Sequence, residues 1–206
     1  MCKFGGEGMI VKKGEKGRKL ILIREDLLDG IRKITAKEGK TVFSFTNEVF
    51  EQVLRAYDMG VSISSVVDFY WLMSIERETG ASVVPLNVLE YMTGRLYNED
   101  KEGLFDEWYN SGLWYGKYLS VRFSVEDVLR VFERLMKCSL WNVTEFSILE
   151  KDEVVKIRCM SPHFSSEYTE VFSKFLEGVL NALNHATLKN ECLRGMILLE
   201  FKKRKS

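Results

Sequence analysis

The side chains that could do chemistry are few. His163 and His185 are the only imidazoles, and the thiols are Cys2, Cys138, Cys159 and Cys192. Cys159, His163, His185 and Cys192 together have the composition of a Cys2His2 zinc site. Structural zinc sites usually draw their ligands from close Cys-Cys and His-His pairs. Here the spacings are Cys-x3-His and His-x6-Cys, which fit no common zinc pattern, so no metal and no other cofactor is assigned. Cys159 with His163 would be the one thiol nucleophile with a nearby base. No serine sits in a nucleophile-elbow pattern. The glycines at 5, 6 and 8 precede no helix and cannot make a phosphate loop. Glu99, Asp100, Glu102, Asp106 and Glu107 form an acidic run of the kind that usually solvates a helix entry. The chain is expected not to be an enzyme.

Cations offer a second kind of chemistry. Lysines and arginines balance aspartates and glutamates, 30 against 30, so a whole-chain field for nucleic acid is absent. The balance is uneven along the chain. Residues 1–24 carry Lys3, Lys12, Lys13, Lys16, Arg18, Lys19 and Arg24 against Glu7 and Glu15 alone. The tail, Lys202-Lys203-Arg204-Lys205, is basic again. Basic ends on a neutral body suit arms that touch phosphates, and they also suit solubilising tails.

These residues need elements to hold them. Residues 1–17, rich in Gly, Lys and Glu, read as a flexible basic arm. Lys19-Leu20-Ile21-Leu22-Ile23 is a short apolar run with strand propensity. From Asp26 the spacing becomes helical, with Leu27, Leu28, Ile31 and Ile34 on one face and Gly39 in the closing left-handed position. Thr41 can cap a second helix carrying Phe45, Val49, Phe50, Val53 and Leu54, which Gly60 ends. One strand and two helices cannot bury their own apolar faces, and two-fold pairing of the strand is the simplest remedy.

Lys19 to Ile23, Leu27, Leu28, Ile31, Ile34, the turn Glu38-Gly39-Lys40-Thr41-Val42 and the amphipathic helix after it resemble the ribbon-helix-helix regulators of the Arc, MetJ and CopG type. The likeness covers about forty residues. It implies an intertwined homodimer whose paired strands enter the DNA major groove. The residues it assigns to DNA are Arg18, Lys19, Leu20, Leu22 and Arg24. Lys40, Thr41 and Ser44 would form a phosphate clamp at the second helix's N-terminus. Leu20 and Leu22 depart from the pattern, because base edges are read by Arg, Lys, Asn or Gln and leucine offers only contact to a thymine methyl. Either Arg18, Lys19, Arg24 and the arm carry specificity, or the ribbon only dimerises.

Beyond residue 60, Ile63, Val66, Val67, Phe69, Tyr70, Leu72, Met73 and Ile75 predict a connecting helix, apolar on more than one face, within residues 61–84. Helices follow at 86–97, 104–121 and 125–137, the last capped by Ser124. Alternation over Val143–Ile148 and Val154–Ile157, around Lys151-Asp152, predicts a β-hairpin. A long helix opens at Ser165-Ser166-Glu167, and a second hairpin pairs 186–189 with 193–201. Residues 85–206 are thus expected to form helices with a four-stranded antiparallel sheet. Gly112, Gly116, Phe175 to Leu180 and Glu191-Cys192-Leu193-Arg194-Gly195 give this part a likeness to the 4-vinyl reductase (4VR) domain, over roughly residues 105–201. The likeness implies an apolar small-molecule pocket between helices and sheet. Where some members carry a thiol in the last strand, Leu198 and Leu199 stand here instead.

The whole is expected to be α+β: a ribbon-helix-helix unit at 18–60, a connecting helix at 61–84 and a ligand-sensing domain at 85–206. It would act as a dimeric, DNA-binding transcriptional regulator of the cytoplasm. The alternative is a ligand-binding or scaffold protein that uses the ribbon only to dimerise. No apolar run approaches the ~20 residues that span a bilayer, and no apolar signal-peptide core opens the chain.

Overall fold

A computed structural model describes residue 17 and residues 19–204. The chain divides into two units, Met1–Ile63 and Ser64–Ser206.

The first unit contains two helices, α1 (Glu25–Glu38) and α2 (Val42–Asp58). Glu25 and Asp26 lie in the first turn of α1, where carboxylates complement the helix dipole, and Lys37 lies in its last. Gly39, at φ 65°, takes the left-handed position that ends α1, and Lys40 N–H donates to Thr35 O at 3.0 Å. The Thr41 side chain accepts from Ser44 N–H at 3.1 Å and so starts α2.

The ribbon is not there. Residues 19–24 form no strand, and the first strand of the described chain begins at Glu145. Leu20 and Leu22 are 91% and 92% exposed. A short apolar run becomes a strand only when a neighbour supplies its hydrogen bonds, and among the described residues none does. The ribbon-helix-helix assignment is therefore corrected, and the intertwined dimer that the strand demanded goes with it.

The second unit is α+β. α3 (Ile63–Glu78) begins at the boundary, followed by α4 (Leu86–Glu99), α5 (Lys101–Arg122) and α6 (Val128–Ser139). Next come β1 (Glu145–Lys151), β2 (Val154–Met160), α7 (Ser166–Ala182), β3 (His185–Leu193) and β4 (Met196–Lys203). The strands form one antiparallel sheet in the order β1-β2-β4-β3. Alternation along the strands splits its faces. Val155, Ile157, Cys159, Ile197, Leu199 and Phe201 are at most 1% exposed, whereas Lys156, Arg158 and Lys202 face out. Lys156 pairs with Glu200 across the strands at 2.6 Å.

The second hairpin turns at Arg194-Gly195, with Gly195 at φ 73°, so β3 runs on through Asn190 and Glu191 where the sequence suggested a loop. A Cβ at Gly195 would sit 2.2 Å from Ser161 O, and the Gly195 carbonyl accepts from Ser161 N–H at 2.8 Å. That close approach holds the turn against the β2–α7 loop.

α5 and α7 cross with almost no side chain between them. A Cβ on Gly112 would lie 2.1 Å from Phe175 O, and one on Gly178 would lie 2.2 Å from Tyr109 O. Glycine is required there for the space it leaves to a neighbouring backbone. Around this crossing Leu119, Leu176, Val179 and Leu180 are fully buried, and the core continues to Phe132, Leu135 and the inner face of the sheet.

Candidate functional site

The site belongs to the second unit, and it starts from a carboxylate in an apolar stripe. Leu72, Ile75 and Glu76 share the buried face of α3, spaced i, i+3 and i+4. Glu76 is 8% exposed. Its Oε1 accepts hydrogen bonds from Tyr115 Oη on α5 and Ser139 Oγ at the end of α6, each 2.9 Å long. Among the described residues no Lys, Arg or His lies within ion-pair reach of it, and Oε2 receives no hydrogen bond. Burial is the largest effect on this carboxyl and raises its pKa above the usual glutamate range, and the two hydroxyl donors oppose that shift. Two residues on, Glu78 accepts from Tyr118 Oη at 2.5 Å and pairs with Arg122, which fastens the end of α3 to α5.

Glu76 lines a cavity of about 540 Å³. Met73 of α3, Leu86 and Leu89 of α4, Trp108 of α5 and Phe164 and Tyr168 at the start of α7 supply its apolar and aromatic wall. The exposed segment 81–84 and Trp141, 70% exposed, border it toward solvent. Trp141 is held by its indole N–H, which donates to Cys138 O at 3.0 Å. Glu90 of α4 accepts from Ser165 N–H at 2.8 Å, placing a carboxylate at the N-terminus of α7 where the dipole favours it. That bond and the Tyr97–Glu170 bond of 2.6 Å hold α4 against α7 and so fix Leu89 opposite Tyr168.

Tyr168 is 6% exposed, edge-on to Phe164 at 4.7 Å and to Trp108 at 5.6 Å between ring centroids. Among the described residues its hydroxyl makes no hydrogen bond within the protein, and it is not one of the fully enclosed polar atoms, so it keeps contact with accessible space at the cavity wall. The cavity therefore presents two polar groups with unused capacity, one carboxylate oxygen and one phenol.

The sequence-derived metal candidates do not converge. Cys159 and Cys192 lie in one row of the sheet's inner face with Ile197 between them, two strand spacings or about 10 Å apart. His185 begins β3, buried, with Nδ1 unpartnered, and His163 sits in the β2–α7 loop. No group of three or more metal-ligating side chains occurs among the described residues. Cys159 is 1% exposed, and burial pushes its thiol up to about 12, which leaves no reactive thiolate for a partnership with His163.

The residues expected to touch DNA are dispersed or already satisfied. Arg18 lies outside the described residues. Lys19, Leu20 and Leu22 are exposed on an unpaired segment. Arg24 is held by Asp26 in a two-point pair at 3.1 and 2.8 Å. Lys40 pairs with Glu48 at 2.7 Å and Glu38 at 3.2 Å, while Thr41 already takes the Ser44 N–H. The supposed phosphate clamp thus carries two carboxylates beside its one lysine, and the assignment of DNA as partner is corrected. The apolar ligand placed between helices and sheet is corrected too. Side chains fill the sheet's inner face, and the cavity lies among α3, α4, α5 and the loops, with a carboxylate in its wall.

Fold and site together define an α+β unit with a single antiparallel sheet and a ligand-sized cavity on its helical side. No family model and no curated protein matches the chain. The likenesses to ribbon-helix-helix regulators and to the 4-vinyl reductase domain therefore carry no function to it.

Sequence reasoning missed Glu76, Tyr115, Ser139, Trp108 and Tyr168. One signal was present: Glu76 is an acid placed four residues after Leu72, on the apolar face of an otherwise core-forming helix.

Proposed function

We propose that the second unit is a non-catalytic binding domain that takes one small molecule with an apolar body and a polar end into the cavity beside Glu76. The observation that carries this reading is the Tyr168 hydroxyl, unpartnered on a residue 6% exposed, in the wall of a cavity of about 540 Å³. Cavities of roughly 300–1,000 Å³ with few polar groups are the usual sites of small-molecule binding. A ligand group that meets Tyr168 would give that hydroxyl a hydrogen bond in the wall, worth about 0.5–1.5 kcal/mol net.

Binding is favoured over catalysis by the arrangement of the polar groups. Tyr115 and Ser139 both donate to Glu76, and no histidine or thiol lines the wall. No helix among the described residues is long and apolar enough to cross a membrane. The reading places the protein in the cytoplasm, supported by the unpaired thiols of Cys138, Cys159 and Cys192, as a reducing compartment maintains them.

Calorimetric titration with the neutral probe 2-naphthalenemethanol tests the reading, in the wild type and in Leu89→Trp and Val143→Phe, which fill the cavity. Saturable binding that both variants weaken by about tenfold or more, about 1.4 kcal/mol, is expected. Absence of binding, or equal binding in variants with unchanged circular dichroism, overturns it.

A further inference from the structure

We infer that the natural occupant of this cavity is an organic cation, a protonated amine on an apolar body, with its ammonium group on Glu76 and its body against Trp108 and Tyr168. The inference rests on the binding role proposed above and adds the charge class of the ligand.

Glu76 is a mostly buried carboxylate without a counter-ion among the described residues. It is 8% exposed, its Oε1 is used by two neutral donors, and its Oε2 has none among the described residues. An ionised carboxylate in such a place carries a desolvation penalty that neutral hydroxyls offset only in part. The protein itself supplies no neutralising charge. On α6, Arg134 reaches Asp68 at 3.4 Å and Lys137 pairs with Glu133 at 2.6 Å. Arg122 is occupied by Glu78. Arg77 lines the cavity but is exposed, and its field acts on Glu78 through water, where salt screens it. Cys138, also near Glu76, is held as a neutral thiol, its pKa raised first by burial and then by the Glu76 charge. A cation on Glu76 is what the wall lacks among the described residues.

The rest of the wall suits that cation. Trp108, Phe164, Tyr168 and Trp141 bring aromatic rings to the cavity, and the ring faces of such residues attract ammonium groups. The unpartnered Tyr168 hydroxyl can accept a second N–H. An anionic ligand would meet the Glu76 carboxylate at like charge, with only the exposed Arg77 in the wall to receive it. A neutral alcohol could donate to Oε2 but would leave the charge uncompensated.

Three probes of one shape separate the possibilities: 2-naphthylmethylamine, 2-naphthalenemethanol and 2-naphthoate, titrated calorimetrically against the full chain at neutral pH and fixed salt. The ammonium probe is expected to bind about tenfold or more tighter than the alcohol, with the carboxylate weakest. Glu76→Gln is expected to erase the preference for the amine, bringing the amine and alcohol affinities within about twofold of each other. The wild-type ranking tests the inference even if that variant does not fold. Equal binding of amine and alcohol, or tightest binding of naphthoate, overturns the cation while leaving the binding role in place. If none of the three binds, the binding role fails and the cation fails with it.

Discussion

The α5–α7 crossing positions Trp108 and Tyr115 on one side of the site and Tyr168 on the other, and it depends on three missing side chains. Replacing Gly112 by Ala places a Cβ 2.1 Å from the Phe175 carbonyl, a contact that real Cβ atoms do not make below 3.0 Å. The helices must therefore separate by about 1 Å, in a core packed to crystal-like density. Around the crossing lie the Tyr115–Phe175 ring contact at 5.5 Å and the fully buried Leu119, Leu176 and Val179, which would all lose contact. Overpacking of this kind costs about 3 kcal/mol. The gain in helix propensity from Gly to Ala returns about 1 kcal/mol. The net loss is about 2 kcal/mol, or a melting temperature lower by about 4–8 °C. Gly94, in the middle of α4, supplies the control, because a Cβ there meets nothing within 4 Å. Gly94→Ala is expected to stabilise by about 0.5–1 kcal/mol. Urea unfolding of both variants, followed by circular dichroism, reads the two signs. Equal behaviour of the two variants, or a stable Gly112→Ala, would refute the close crossing.

Other expectations follow from burial. The pKa of Glu76 is raised in the fold chiefly by desolvation, so the folded protein holds that proton more tightly than the unfolded chain does. Its contribution to stability is greatest below the ordinary glutamate pKa of 4.5 and declines as pH rises through the folded value. Urea midpoints of wild type and Glu76→Gln should therefore diverge above pH 4.5, with the glutamine protein the more stable at neutral pH; parallel curves would deny the shift. His185 has the opposite sense, its pKa lowered from 6.5 mainly by burial, so its contribution is present above pH 6.5 and is lost as pH falls through the folded value. Proton NMR of the two imidazoles should show the His185 resonances titrating below pH 6.5, and a midpoint at or above that value would contradict the burial. Cys159, with its thiol pushed up to about 12, should react with an aromatic disulfide reagent only after denaturation, whereas the partly exposed Cys138 and Cys192 react first. Prompt modification of Cys159 in the native protein would show that the sheet's inner face is not closed.

The part of the fold that was legible in the sequence is the part specified by local periodicity. Ser165 caps α7 by accepting from Tyr168 N–H, as a serine before an amphipathic run should, and the alternation from Glu145 to Met160 is the β1–β2 hairpin around Asp152. The run Lys19–Ile23 shows the limit. Its four apolar residues, Leu20 to Ile23, carry strand propensity, but a strand is a pairing, and propensity does not supply the partner. At the second hairpin the polar pair Asn190-Glu191 looked like a loop. The register is set instead by Gly195, whose positive φ and contact with Ser161 place the turn at Arg194-Gly195. The candidate site was the least legible. Glu76, Leu89, Trp108, Ser139 and Tyr168 come from five separate segments, and no spacing along the chain announces that they meet. The lone acid on the buried face of α3 was the one local mark, hidden because apolar helices are read for what fills a core and not for what interrupts it.

The measurement that bears most directly on the binding role is methyl-detected NMR of the full chain during titration with 2-naphthalenemethanol. If the cavity is the site, shifts concentrate on Met73, Leu86, Leu89 and Val143, which line it, and saturate together. Unmoved cavity methyls, or shifts confined to Leu149, Leu193 and Leu198 on the sheet's outer face, would contradict it.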